Sequence, residues 1–408
     1  MSTGKKIPIP KSLTERQYET QEQLVSVAEK RSATFVGIPC EMSKYENRVS
    51  LVPSSVTSLV ANGIRVMVET GAGDRSNFSD HDYSEAGAEI AYSQKQVYEA
   101  NIILKVSPPT LQEIELMHPN QILITPLQLP TITEEYLYRL REKRVIAIAS
   151  EYLQDAHGSF PVVRVMSEIA GLSAMLTAAE LLATTGGGKG VLLGGISGVP
   201  PAKVVILGAG IVAEYATRTA LGLGAEVRIF DNNIYKLMRI QSQVGRQIST
   251  SVITPRYLER ELRIADAVIG AIHSESGRTP MVVTEAMVSK MKQGAVIIDV
   301  SIDQGGCFET SELTTHADPT FRKHGVIHYC VPNIASRVAR TASVSVSNIL
   351  MPLLNKGAQS GGLENLINNS KGLRHGVYMY KGKLTNKYLS ERFGMKFTDL
   401  ELIITTLS

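Results

Sequence analysis

The chain of 408 residues has little cysteine and little net charge. Its three cysteines, Cys40, Cys307 and Cys330, form no CxxC pair and no zinc-ligand spacing, so neither a disulfide framework nor a metal site is expected. A reducing, cytoplasmic setting fits that usage. The formal net charge of +3 comes without a basic run or a basic patch interleaved with aromatics, which argues against nucleic acid or an anionic membrane as partner. The N-terminus lacks an apolar signal core. The most apolar region, 191–213, is interrupted by Pro200, Pro201 and Lys203, so no membrane span is predicted.

What remains is an ordinary α/β composition, 43% hydrophobic and 20% charged, long enough for about two domains with separate cores. The most informative stretch begins with Val204, Val205, Ile206 and Leu207, an unbroken apolar run of the kind buried on both faces of a parallel sheet. Gly208-Ala209-Gly210 turns the chain into a segment in which Ile211, Val212, Tyr215, Ala216 and Ala220 recur at helical spacing. Glycine at 208 permits a tight turn. Glycine at 210 leaves no side chain between a helix N-terminus and a pyrophosphate, whose charge the free N–H groups attract. Ala213 takes the third position of a GxGxxA pattern, small enough for close helix–strand packing. A second strand, 226–230, ends at Asp231, where a carboxylate can accept hydrogen bonds from ribose hydroxyls and repel a 2′-phosphate. Strand, turn, helix, strand and acid in that order predict a dinucleotide site that prefers NAD over NADP.

Around this unit the pattern alternates strand and helix. Expected strands are 35–38, 64–69, 102–106, 121–125 and 145–149 in the first half, and 251–253, 267–271, 295–300 and 326–330 in the second. Such alternation predicts two Rossmann-like, doubly wound parallel sheets with a cleft between them. The expected organisation is a polar N-terminal extension over 1–30, with an exposed helix at 14–30, then a discontinuous substrate domain (31–165 plus 340–408) and a nucleotide domain (166–339). An amphipathic helix over 166–184 and the glycine-rich 186–190 join the two, and a long helix from Ser336 returns to the first.

Three residues lie at or just beyond strand ends, where open α/β sheets bind ligands. Arg48 follows the loop 40–47, Lys105 sits near the end of the strand 102–106, and Asp303 emerges from the strand 295–300. An arginine fork and a lysine could hold a small carboxylate. Taken alone, Arg48 and Lys105 also fit solvated surface charges, and Asp303 fits a turn former before two glycines. Asp299, inside its strand, reads as structural.

The segments GIPCEMSKYENRVSLVP, ETGAG, LKV, MSEIAG, GVLLGGISGVPPAKVVILGAG, VIIDVSIDQGGCFETS, HYCVPN and YKGKLTN carry a family resemblance from Phe35 to about Lys387. The sequence resembles alanine dehydrogenases and the related NAD-binding portion of the transhydrogenase α subunit, and IDQGGCFETS is more similar to the former. The resemblance implies reversible oxidative deamination of L-alanine to pyruvate and ammonia with NAD, in a homo-oligomer. It implies that Arg48 and Lys105 bind substrate, that Asp303 is the catalytic acid, and that Met166, Ser167, Asp231 and Asn333 line the NAD cleft. In that family a histidine stands where this chain has Gln128, which can orient a carbonyl but does not titrate. The implied alternatives are a transhydrogenase-type NAD module and a catalytically weakened NAD-binding homologue. Val331 to Ser336 and Leu172 also depart from the family pattern. His316 and His328 are candidate histidines to compensate for Gln128, although a strand histidine such as His328 more often serves structure.

Overall fold

The computed structural model describes residues 34–129, 131–274 and 277–407. The expected helix at 14–30 lies outside them. Two sheets dominate the fold. The first has eight strands in the order β15-β14-β6-β5-β4-β1-β2-β3. These are β1 (Phe35–Ile38), β2 (Arg65–Glu69), β3 (Glu89–Ala91), β4 (Ile102–Leu104), β5 (Ile122–Thr125), β6 (Ile146–Ala149), β14 (Val377–Tyr380) and β15 (Lys383–Leu384). The second has seven, in the order β12-β13-β11-β10-β7-β8-β9. They are β7 (Lys203–Leu207), β8 (Glu226–Phe230), β9 (Ser249–Ser251), β10 (Ala267–Gly270), β11 (Val296–Asp299), β12 (Thr320–Lys323) and β13 (Val326–Tyr329). The two parallel-dominated sheets with their helices give the expected α/β, doubly wound class.

The apolar runs behave as their composition dictates. β1, β4, β5, β6, β10, β11 and β13 are buried at every position, which parallel strands covered on both faces require. Each sheet also carries antiparallel strands that the periodicity did not reveal. β12 pairs against β13, and β14 and β15 complete the first sheet by pairing against β6 and each other. β15 has two residues and β12 has no fully buried position, so neither leaves a hydrophobic signature.

The helix Pro161–Leu182 starts earlier than the spacing predicts because Pro161 serves as its first residue. The expected boundary between 165 and 166 falls within it. Among the described residues it alone is long and apolar enough to cross a bilayer, yet half of its most apolar stretch is buried inside the protein. The cover is partly the helix Ile211–Gly222, which packs tightly on Gly171, where a Cβ would stand 2.4 Å from the Val212 carbonyl oxygen.

The returning helix is Ala339–Gln359, preceded by a 3-10 turn Ile334–Val338, so Ser336 lies before it rather than at its start. Ser343 and Ser347, four apart on one face and fully buried, accept hydrogen bonds from the Val49 and Val52 N–H groups at 2.9 and 3.0 Å. The extended loop after Arg48 has no neighbouring strand, so these hydroxyls satisfy backbone donors that would otherwise be orphaned.

Because the Gly171 contact is with backbone, a Gly171→Ala substitution forces the two helices apart. We expect a loss of about 1–3 kcal/mol, measured by denaturant unfolding.

Candidate functional site

The loop after β1 meets the turn after β13 through Glu46 and Asn333, and the two cations close to that contact are buried. Arg48 is 8% exposed and Lys105 is 2% exposed. Neither is the solvated surface charge that sequence alone allowed, because each has carboxylate partners contributed by the fold.

Arg48 donates from Nε and Nη2 to Glu46 at 2.7 and 2.6 Å, a two-pronged pairing, and from Nη1 to the Met166 sulfur at 3.2 Å. A guanidinium has five N–H donors, so two remain for a ligand. Burial works against the arginine's charge, but Glu46 outweighs it and holds the group firmly protonated. Glu46 also accepts from the Asn333 side-chain amide at 2.8 Å, which ties the loop before Arg48 to the turn after β13. Asn333 adopts the left-handed conformation, φ 56°, which asparagine tolerates better than most residues. There its backbone N–H reaches Asp303 at 3.2 Å.

Asp303 lies on a 3-10 turn directly after β11, as expected from the sequence. Surrounding protein pushes its carboxyl up to about 6, against the Asn333 hydrogen bond and the charge of Arg48. The residue is itself exposed, so cleft water moderates that rise until a ligand displaces it.

Lys105 sits between two carboxylates, Glu113 at 2.8 Å and Glu41 at 3.1 Å, and also reaches the Cys40 carbonyl at 3.4 Å. Burial disfavours the ammonium, yet the two acids hold it charged. Glu41 lines, with Arg48, Glu46, Cys40, Ala72 and Arg75, a cavity of about 60 Å³. Arg75 braces its rim by donating to the Ser43 and Glu46 carbonyls at 2.8 and 3.1 Å.

Gln128 follows β5, beside β4, with φ 48° and its backbone N–H on Glu151 at 3.2 Å. Among the described residues its side chain makes no hydrogen bond to Arg48, Lys105 or Asp303. Ser167 is half-buried on the helix Pro161–Leu182, one position beyond Met166, and likewise has no hydrogen bond to them. His328 is fully buried between Thr310 at 2.8 Å and the Val326 carbonyl, and burial pulls its ring down to about 4. It is part of the core. His316, half-buried, lies beside Asn333, with burial lowering its ring below the usual range. Asp299 accepts from Ser301, Cys307 and Ser311 and is structural, as read from sequence.

The second part of the cleft is the glycine turn. Gly208 has φ +103°, and a Cβ there would stand 2.4 Å from the Ala271 carbonyl oxygen, so only glycine fits. At Gly210 a Cβ would meet nothing within 4 Å, and no side chain caps the helix that starts beyond it. An uncapped N-terminus facing open space is what a pyrophosphate needs. Ala213 is fully buried against the sheet. Asp231 accepts from the Ala209 N–H at 2.7 Å and the Asn233 N–H at 2.7 Å, which fixes its carboxylate beside the turn. These residues fit a dinucleotide. No group of three potential metal ligands occurs among the described residues.

The fold therefore joins Arg48, Met166, Asp303 and Asn333 into one network, sets Lys105 behind Glu41 at the same cavity, and keeps the glycine turn and Asp231 as a separate cradle. Sequence reasoning did not single out Glu46, Glu41 or Glu113. The only local signal was the clustering of Glu41, Glu46 and Arg48 in one loop.

Removing the Glu46 carboxylate would leave Arg48 buried without its partner. Glu46→Ala is expected to cost about 3–5 kcal/mol, seen as a lowered denaturation midpoint, whereas Arg75→Ala at the exposed rim should cost far less.

Comparison with known proteins identifies relatives of nearly the whole chain. Residues 37–170 match the family model described as alanine dehydrogenase/PNT, N-terminal domain, and residues 174–387 match alanine dehydrogenase/PNT, C-terminal domain. The chain is 41% identical over 371 residues to alanine dehydrogenase 2 of Staphylococcus aureus (strain USA300), covering 90% of this chain and 98% of that protein. A solved L-alanine dehydrogenase superposes with a TM-score of 0.83 at 36% identity, covering 88% of this chain and 99% of that one. The transhydrogenase from Sinorhizobium meliloti does so with a TM-score of 0.74 at 25% identity, over 87% and 99%. With both halves matched and the relatives spanned almost end to end, the chain belongs to the alanine dehydrogenase/PNT family.

Proposed function

We propose that the protein is an NAD-dependent alanine dehydrogenase that interconverts L-alanine with pyruvate and ammonia. The observation that carries this reading is the buried Arg48 with two unspent N–H donors in a cleft that also holds Asp303 and a glycine cradle. Gly208, Gly210 and Ala213 would hold the pyrophosphate and Asp231 the adenosine ribose, which favours NAD over NADP. Met166, Ser167 and Asn333 would line the nicotinamide end. Bound NAD supplies a hydride acceptor for the substrate Cα.

The chain's own residues do the rest. Arg48 binds the substrate carboxylate through its free N–H groups, and Lys105 polarises the carbonyl or carbinol oxygen. Asp303 accepts the proton released when water adds to the imine, and returns it as the carbinolamine collapses. Its upward shift suits this work near neutrality. Gln128 orients the oxygen without titrating, so proton traffic falls on Asp303 and water.

In this reading the substrate domain comprises 31–165 and 340–408, the nucleotide domain 166–339, and the setting is cytoplasmic. Exposed Leu172 and Leu176 on the helix Pro161–Leu182, with Leu192, Ile196 and Val199 beyond it, support a homo-oligomer. A transhydrogenase-type relay is less favoured, because the similarity to alanine dehydrogenase is higher.

Purified protein should oxidise NADH in the presence of pyruvate and ammonium, followed at the NADH absorbance, and Asp303→Asn should lower kcat by about 10²-fold or more. If the natural protein is silent with small keto acids while Gln128→His gains about 10²-fold, the weakened NAD-binding homologue replaces this reading. Since Asp303 must be ionised to act as base, kcat for alanine should fall as pH drops through about 6, the value in the water-free complex.

A further inference from the structure

The cavity beside Arg48 is short of positive charge. Glu41 and Glu46 line it with Arg48 and Arg75, Glu113 and Lys105 pair behind it, Glu69 accepts from the Cys40 N–H on its wall, and Asp303 lies within electrostatic reach of Arg48. A ligand carboxylate adds another negative charge to a group of acids that already outnumbers its cations. In a buried site that addition is opposed unless a proton enters with it.

Glu41 is the acid placed to take that proton. Its side chain is 6% exposed, it lines the cavity, and it lies 3.1 Å from the Lys105 ammonium. One oxygen accepts from the Val106 N–H at 2.7 Å and the other from the Ser107 hydroxyl. The three donors of Lys105 are occupied by Glu41, Glu113 and the Cys40 carbonyl, so Lys105 has none to offer a ligand while Glu41 stays charged.

We propose that Glu41 is a positioning residue that takes up one proton from water as a 2-keto-acid anion binds, which releases Lys105 to the ligand's carbonyl oxygen. The proton returns to water when the anion leaves, so the step is balanced. This rests on the dehydrogenase reading and assigns the proton coupling of the same site. Burial raises the Glu41 carboxyl and the nearby Glu46 adds to it, against Lys105, Ser107 and the Val106 N–H, so the group is poised for uptake.

The sign follows. Anion binding favours the protonated acid, so affinity is highest where Glu41 is already protonated. It weakens as pH rises through the carboxyl's value in the free protein, and levels off above its value in the complex. Asp303 contributes with the same sign, which makes the variant comparison decisive.

The test is the Kd of pyruvate, and of its unreactive analogue oxamate, for the full-length protein saturated with NADH, from pH 5.5 to 9. Glu41→Gln keeps the shape of the side chain and mimics the protonated acid. It should flatten the profile and bind pyruvate about tenfold more tightly than wild type at high pH, a gain that a merely structural residue would not give. Ser107→Ala removes a hydrogen bond that favours the charged form, so it should move the wild-type profile to higher pH. It decides the matter if Glu41→Gln does not fold. A folded Glu41→Gln protein whose profile superposes on wild type, or an unmoved Ser107→Ala profile, overturns this inference alone. Wild type that binds neither ligand at any pH overturns the dehydrogenase reading along with it.

Discussion

The site depends on one buried ion pair. Glu46 meets Arg48 through two short hydrogen bonds, and the same carboxylate receives the amide of Asn333 from across the cleft. An uncompensated guanidinium could not remain buried at that depth, so Arg48 stays charged there only because the glutamate two residues earlier neutralises it. Through Asn333 the pair also fixes the backbone N–H that binds Asp303. Arg48 and Asp303, which follow strands of different sheets, are thereby set in one frame by a single asparagine in a left-handed turn.

Lys105 repeats the design with a different balance. Two acids surround one ammonium, and only one of those acids, Glu41, also borders the cavity. Arg48 keeps its charge because its partner is matched to it one for one. Lys105 is over-matched, which ties its availability to the protonation of its neighbours. In the proposed function the two cations would divide the work, one a permanent anchor and the other a conditional contact.

Much of the fold was legible in the sequence because buried parallel strands announce themselves as apolar runs, and because glycine at 208 has a stereochemical reason to be there. The antiparallel strands were not, since β12 and β15 are short or half-exposed and carry no run. In the site, Arg48, Lys105 and Asp303 stood out by their positions beside strand ends, but position alone favoured plain surface charges for the two cations, and only the family resemblance implied their roles. Their burial was not legible, because it comes from Glu46, Glu41 and Glu113, acids that look like ordinary loop and helix charges until folding brings them to their cations. Gln128 shows the opposite case. Its chemistry was plain from the residue type, but its left-handed backbone and its tie to Glu151 depend on a partner 23 residues away.

The completion of the first sheet by β14 and β15 has a consequence for how the protein is made. β6 is apolar at every position, and its outer edge is covered only by residues 377–380, synthesised more than two hundred residues later. On the ribosome, strands β7 to β13 emerge as a contiguous unit able to pair among themselves, while β6 waits with an unpaired hydrophobic edge for nearly the whole chain to follow. Over that interval the edge is open to mispairing before its native partner exists.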